Sequence, residues 1–273
     1  MSTTQPHLYC SPFDSVADQY DQVFTDSHIG RAQRASVWSE IEKVFRPGDN
    51  VLEIGCGTGV DACFLASRGV AVVACDSSSG MIDKTSRRVM DCGLGALVQP
   101  RHVAAAEISS LSSNILFDGV FSNFGALNCV EDLRSLALDM ANLMKPGARA
   151  LLCLMGPHCA WEIAWYLGHG DLGKAFRRMR RAGTAGRLAE DVSVHVNYPS
   201  MRELARTFSP AFRLKSVKGI GVSVPPSYVG PWVTQSRTWL EYCVWADSLL
   251  GYCPGIRTFA DHILLRFERE NHD

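Results

Sequence analysis

Between residues 51 and 155, short apolar runs alternate with amphipathic stretches, and that alternation leaves few folds open. Val51-Leu52-Glu53-Ile54 is a short apolar run, followed over 61–68 by a helical stretch that Gly69 stops. Residues 70–75 are continuously apolar, as in a parallel strand buried on both faces. A helix is expected over 79–92, and strands over 97–103 and 117–123. Residues 131–144 put Leu133, Leu136, Ala137, Met140 and Leu143 on one stripe. Lys145-Pro146-Gly147 breaks that helix before a fifth strand over 148–155. Strands and helices in this order indicate a doubly wound α/β sheet, mostly parallel.

The flanks read differently. Residues 1–50 are expected to be helical and to cover the site, with Val16, Tyr20, Val23 and Phe24 on one face and a second helix over 29–45. Residues 156–199 are rich in aromatic and basic side chains and show no clear strand, so they read as a mostly helical cap inserted after the fifth strand. A strand over 212–224, a helix over 232–250 and a strand over 262–268 complete a seven-stranded sheet. The core therefore comprises 51–155 and 200–273.

Composition excludes several classes. The formal net charge is −1, from 27 basic and 28 acidic side chains. It lacks the positive surplus that drives binding to phosphate backbones, so no nucleic-acid partner is expected. No secretory leader is visible, and no apolar run approaches the roughly 20 residues of a membrane span. A cytoplasmic protein without stable membrane insertion is the expectation. None of the ten cysteines is paired as C-x-x-C, and no metal site is expected.

Ligands of open α/β sheets bind beyond the carboxyl ends of the strands, where the strand order reverses. The first strand ends in Glu53-Ile54-Gly55-Cys56-Gly57-Thr58-Gly59, where glycines let the backbone turn and approach a ligand. Asp76 closes the second strand, placed to accept the hydroxyl hydrogens of a ribose. A nicotinamide enzyme would share these features. Two details argue against it. The spacing is G-x-G-x-G, with Val60 where a third dinucleotide glycine would stand. Glu53 would repel a pyrophosphate but could meet the ammonium of a methionine moiety.

The segment 51–59 resembles the first motif of class I S-adenosylmethionine-dependent methyltransferases. Val73-Ala74-Cys75-Asp76, Phe117-Asp118-Gly119-Val120 and Leu143-Met144-Lys145-Pro146-Gly147 resemble their second strand, fourth strand and turn into the fifth. Phe13-Asp14-Ser15-Val16-Ala17-Asp18-Gln19-Tyr20 is similar to the N-terminal segment of small-molecule members. The resemblance implies a Rossmann-like fold, S-adenosylmethionine as cofactor and S-adenosylhomocysteine as product. It implies that Gly55, Cys56 and Gly57 line the methionine portion, while Asp76 holds the ribose and Ser77 and Met81 flank the adenosine. Ser122 and Asn123 would face the sulfonium, and Tyr20 would lie over the cofactor or simply pack. Gly59 would belong to the loop or serve helix packing. An acidic residue usually touches the adenine amino group. Here Ala105 stands at that position, so either Glu107 replaces it or backbone groups of Ala105 and Ala106 serve. Cys56 otherwise reads as a small filler.

In the cap, Trp161, Trp165 and Tyr166 form an aromatic pocket wall or pack the cap on the sheet. Lys174, Arg177, Arg178, Arg180, Arg181 and Arg187 form a solvated face or attract an anion. If the last strand runs antiparallel, Asp261 and His262 start it near the reaction, together with Tyr228. His262 is the candidate general base and His158 its competitor. The expected activity is methyl transfer to oxygen, nitrogen or carbon of a small metabolite. The alternatives are a non-catalytic, regulatory cofactor-binding protein or an enzyme that modifies a macromolecule. The acceptor and the oligomeric state are not legible.

Overall fold

In the computed structural model, residues 11–111, 116–180, 183–189, 192–228 and 236–271 are described. Seven strands form one sheet: β1 (Asn50–Ile54), β2 (Ala71–Asp76), β3 (Val98–His102), β4 (Phe117–Ser122), β5 (Met144–Leu154), β8 (Phe212–Ile220) and β9 (His262–Arg269). Their order is β3-β2-β1-β4-β5-β9-β8. β1 to β5 pair in parallel, and β9 runs antiparallel to both β5 and β8. The order reverses between β1 and β4, so a crevice opens beyond their carboxyl ends.

Alternation along each strand divides the core between two layers. Leu52 and Ile54 face one side with Val120, where Leu136 and Met140 of α4 (Leu133–Leu143) and Leu204 and Phe208 of α7 (Met201–Phe208) cover them. Val51 and Phe121 face the other side, against Val37 and Ile41 of α1 (His28–Val44) and Leu65 of α2 (Val60–Ser67). β2 leads into α3 (Ser79–Asp91), whose N-terminus is capped by the Ser78 hydroxyl accepting from Met81 N–H. A strand buried on both faces must be apolar throughout, which explains why Glu53, 1% exposed, stands out in β1.

Three expectations need correction. The segment before α1 is not a continuous amphipathic helix: it comprises a 3-10 turn (Pro12–Ser15) and a short π turn (Asp21–Thr25), and Val23 is 68% exposed. Its acids bond to the core instead of supporting a helix. Asp14 accepts from Ser78 Oγ at 2.6 Å and Gly80 N–H at 2.9 Å, and Asp21 accepts from Thr58 Oγ1 at 2.7 Å and Arg88 at 2.6 Å. The insertion at 156–199 is helical only in its first part, α5 (Ala160–Gly168) and α6 (Leu172–Ala175). It then folds as an antiparallel hairpin of β6 (Thr184–Ala189) and β7 (Val192–Val196). Strict alternation in Val192-Ser193-Val194-His195-Val196 was the overlooked signal. The sixth strand stops at Ile220 rather than 224, because Gly221 turns with φ 75° and Asp247 accepts from Gly221 and Ser223 N–H.

Asp247 lies on α8 (Arg237–Leu250); the start expected for that helix, 232–235, lies outside the described residues, as does Arg181. α7 was not anticipated. Among the described residues no helix is long and apolar enough to cross a membrane.

Candidate active site

One large cavity, about 1290 Å³, opens at the carboxyl ends of β1 and β4. Its first wall is the loop after β1 with the start of α3. Gly55, Gly57, Asp76, Ser77 and Met81 line it. Gly57 has φ 54°, and nothing lies within 4 Å of where its Cβ would stand, so its backbone is open to a ligand. Gly59 has a different reason. It ends the loop at φ 78°, and a Cβ there would meet Thr85 of α3 at 2.7 Å. It is not among the cavity-lining residues, and its role is the packing of α2 on α3.

Asp76 holds this wall in shape. One carboxylate oxygen accepts from Gly57 N–H and the other from Ser78 N–H, both at 2.9 Å. Burial pushes its pKa upward, against the pull of those two donors. A carboxylate has about four acceptor sites, so two remain for further hydrogens. Ala104, Ala105 and Ala106 continue the wall after β3, whereas Glu107 is exposed and does not line it.

Behind the wall lies a buried polar cluster that the sequence only partly disclosed. Asp61 accepts from Arg34 Nη1 at 2.5 Å, Trp38 Nε1 at 2.6 Å and Asn123 Nδ2 at 2.9 Å. Burial alone would lower the Arg34 pKa, but Asp61 more than reverses this and keeps it charged. Two atoms of the cluster have no partner among the described residues: Arg34 Nε and Glu53 Oε2. Burial, reinforced by Asp61, pushes the Glu53 carboxyl well above the usual range. The Arg34 guanidinium sits 4.9 Å from the ring centroid of Phe124, a cavity-lining residue at φ 43°. Positive φ in a phenylalanine is uncommon and marks a constrained position. Arg34 and Phe124 were both missed, since neither carries a local sequence motif.

The other residues expected around the cofactor divide. Asn123 lines the cavity, with its amide fixed by Asp61 and by the Phe124 N–H. Ser122 is fully buried, donates to Ile54 O at 2.7 Å and ties β4 to β1 away from the cavity. Cys56 is buried and does not line it, and burial pushes its thiol well up. Tyr20 lines it from the N-terminal segment, with Pro12, Phe13 and Phe24.

The opposite wall combines the cap with the start of β9. Val194, Val196, Val130 and Met155 make it apolar, and Tyr166, Arg177, Arg178, Tyr228, Asp261 and His262 supply its polar edge. Glu162 is the hub: it accepts from Arg177 Nε at 2.5 Å, Arg178 Nε at 2.8 Å and the Tyr228 hydroxyl at 2.5 Å. Arg178 also donates to Asp261, to Oδ1 and to the backbone O, both at 2.8 Å. Trp161 donates to Val222 O at 3.1 Å and packs the cap onto the core. Trp165 stacks beside His169, and His158 lies 5.6 Å from Phe259 with its Nδ1 buried. None of Trp161, Trp165 and His158 lines the cavity.

Comparison with known proteins agrees with this geometry. Residues 52–150 match the family model of a methyltransferase domain. A demethylmenaquinone methyltransferase of Mycobacterium sp. (strain KMS) is 32% identical over 213 residues, covering 76% of this chain and 85% of that protein. A Clavibacter sepedonicus protein of the same name is 30% identical, with 55% of this chain and 58% of its own length aligned. A tRNA 5-carboxymethoxyuridine methyltransferase of Escherichia coli (strain K12) is 27% identical over 54% of this chain and 57% of its own. Among solved structures, the CcbJ methyltransferase of Streptomyces caelestis superimposes with a TM-score of 0.62 at 16% identity, over 96% of this chain and 99% of that one, a likeness of fold. Fold, glycine loop and relatives converge: the chain belongs to the class I S-adenosylmethionine-dependent methyltransferases.

Proposed function

We propose that this enzyme methylates oxygen, nitrogen or carbon of a small, largely apolar molecule, with S-adenosylmethionine as donor. The observation that carries the reading is the single cavity of about 1290 Å³ shared by the glycine loop and the cap. Ligand pockets run to roughly 300–1000 Å³. This volume suits a cofactor and an acceptor side by side.

The residues present fit the cofactor. Asp76 would take the ribose hydroxyls, and the backbone around Ala105 and Ala106 the adenine. Glu53 and Arg34 stand behind the loop and do not line the cavity, so the methionine end would meet the backbone of Gly55 and Gly57 and the side chain of Asn123. The bound sulfonium supplies an electrophilic methyl group. The chain's own task is then alignment and exclusion of water, which the N-terminal segment and the cap perform from two sides. His262 would accept the acceptor's proton at Nε2, since Nδ1 lies against Asp261, a contribution of about 10²- to 10⁴-fold.

Charge bears on the acceptor. Arg177 and Arg178, the cap arginines that line the cavity, are matched by Glu162 and Asp261, so neither is left over for an anionic substrate. An uncharged acceptor with an apolar body suits that wall, and the demethylmenaquinone named in two relatives has such a body. The test is transfer of labelled methyl to a panel of neutral phenols, quinols and amines, with small anions and tRNA as comparison. Transfer to neutral molecules alone is expected. Exclusive transfer to tRNA, or none with tight cofactor binding, would overturn the reading.

A further inference from the structure

His262 begins β9, 6% exposed, with its ring edge-on to Phe124 at 5.4 Å between centroids. Its Nδ1 is buried, lies 3.3 Å from Asp261 Oδ2, and has no directed hydrogen bond among the described residues. That proximity discriminates between the tautomers. At that distance the charge of the carboxylate favours a proton on Nδ1, even off the line of a hydrogen bond, whereas a bare Nδ1 sets two lone pairs against each other. The preference depends on Asp261 Oδ2 staying where it is.

What chiefly fixes the Asp261 carboxylate comes from the cap. The Arg178 fork grips Asp261 at Oδ1 and at the backbone O, and its Nε is held by Glu162 of α5. Gln33 of α1 reaches Oδ2 at 3.3 Å, a long contact. Without Arg178, Asp261 could rotate, and Glu162 and Asp261 would lose the cation between them. We propose that Arg178, delivered by the cap, is a positioning residue for His262, fixing Asp261 so that the imidazole carries its proton on Nδ1 and keeps Nε2 free for the acceptor.

The inference rests on the reading of His262 as base, yet it is tested without an acceptor. Long-range ¹H–¹⁵N spectra of histidine-labelled full chain report which ring nitrogen of His262 is protonated; His262→Asn assigns the signal. Wild type should show Nδ1–H predominant. In Arg178→Met the ratio of Nδ1–H to Nε2–H should fall on the order of tenfold, the scale of a close electrostatic contact in a buried site. Arg178→Lys keeps the charge without the fork and should give an intermediate ratio, and Arg180→Met should match wild type. Calorimetry with S-adenosylhomocysteine should show unchanged affinity in every variant, which separates this proposal from the cofactor assignment. A wild-type ring protonated on Nε2, or a ratio unmoved by Arg178→Met, overturns the proposal. Should Arg178→Met not fold, an unmoved ratio in Arg178→Lys overturns it equally. Loss of turnover in His262→Ala is a separate matter and tests the base itself.

Discussion

Two buried charge clusters flank the cavity, and they are finished differently. At the cap, Glu162, Arg177, Arg178 and Asp261 hold one another, and Arg178 donates through Nε and both terminal nitrogens. Behind the glycine loop, Arg34, Asp61 and Glu53 are as deeply buried, but Glu53 Oε2 and Arg34 Nε have no partner among the described residues. Arg34 keeps its charge through Asp61, while burial raises the Glu53 carboxyl and favours its neutral form, so neither is an uncompensated charge. The saturated cluster lines the cavity at Arg177, Arg178 and Asp261, whereas Arg34, Asp61 and Glu53 stand behind it. Residue type alone does not separate the two, since both contain arginine and carboxylates.

The contrast is broken first at the wall. Arg178→Met should lower stability by about 3–5 kcal/mol, because it removes the cation that neutralises the buried Asp261 carboxylate. Urea unfolding measures this, and a loss under about 1 kcal/mol, the scale of a surface ion pair, would mean the wall is not closed.

On the glycine-loop side, Asp76→Ala should weaken S-adenosylhomocysteine on the order of a hundredfold in calorimetry. It removes two hydrogen bonds to a charged group, at roughly 1.5 kcal/mol or more each. Unchanged affinity would remove Asp76 from the ribose site.

Glu53→Gln should change affinity for the same ligand by less than about threefold, since Glu53 does not line the cavity, while leaving the free enzyme as stable as before or more so. It also changes the response to pH. The Glu53 carboxyl is raised, so above the unfolded carboxylate value the native state keeps a proton that the unfolded chain has released. Stability contributed by this group therefore falls as pH rises through that window, and Glu53→Gln should flatten the fall. Asp261 has the opposite sign: its carboxyl is depressed, so its contribution is present above the unfolded value and is lost as pH falls. Unfolding curves at several pH values should show opposite slopes relieved by Glu53→Gln and Asp261→Asn.

The smallest effect is expected at Glu107. Its exposed side chain lies off the cavity that Ala105 and Ala106 line, so Glu107→Gln should change affinity less than about twofold. A larger loss would return the adenine contact to that carboxylate.

The sequence by itself determined the sheet, the loop and the cofactor wall, because their signals are local. A continuously apolar run specifies a strand buried on both faces, and alternating glycines specify a backbone turn whatever surrounds them. Gly57 and Asp76 were therefore legible, and Glu53 stood out because a carboxylate interrupts an apolar strand. The hairpin at Thr184–Ala189 and Val192–Val196 was legible in its alternation and was overlooked among aromatic and basic neighbours. Other features were beyond any local pattern. Arg178 looked like one member of a basic surface cluster, and only packing of the cap buries it against Glu162 and Asp261, which lie 16 and 83 residues away in sequence. Trp165 and His158 had residue types as suitable as those of Tyr166 and His262, yet helix orientation and the course of the chain turned them off the cavity. Which charge is paired, and which aromatic side chain faces a ligand, depends on contacts between distant segments; no spacing within one segment encodes them.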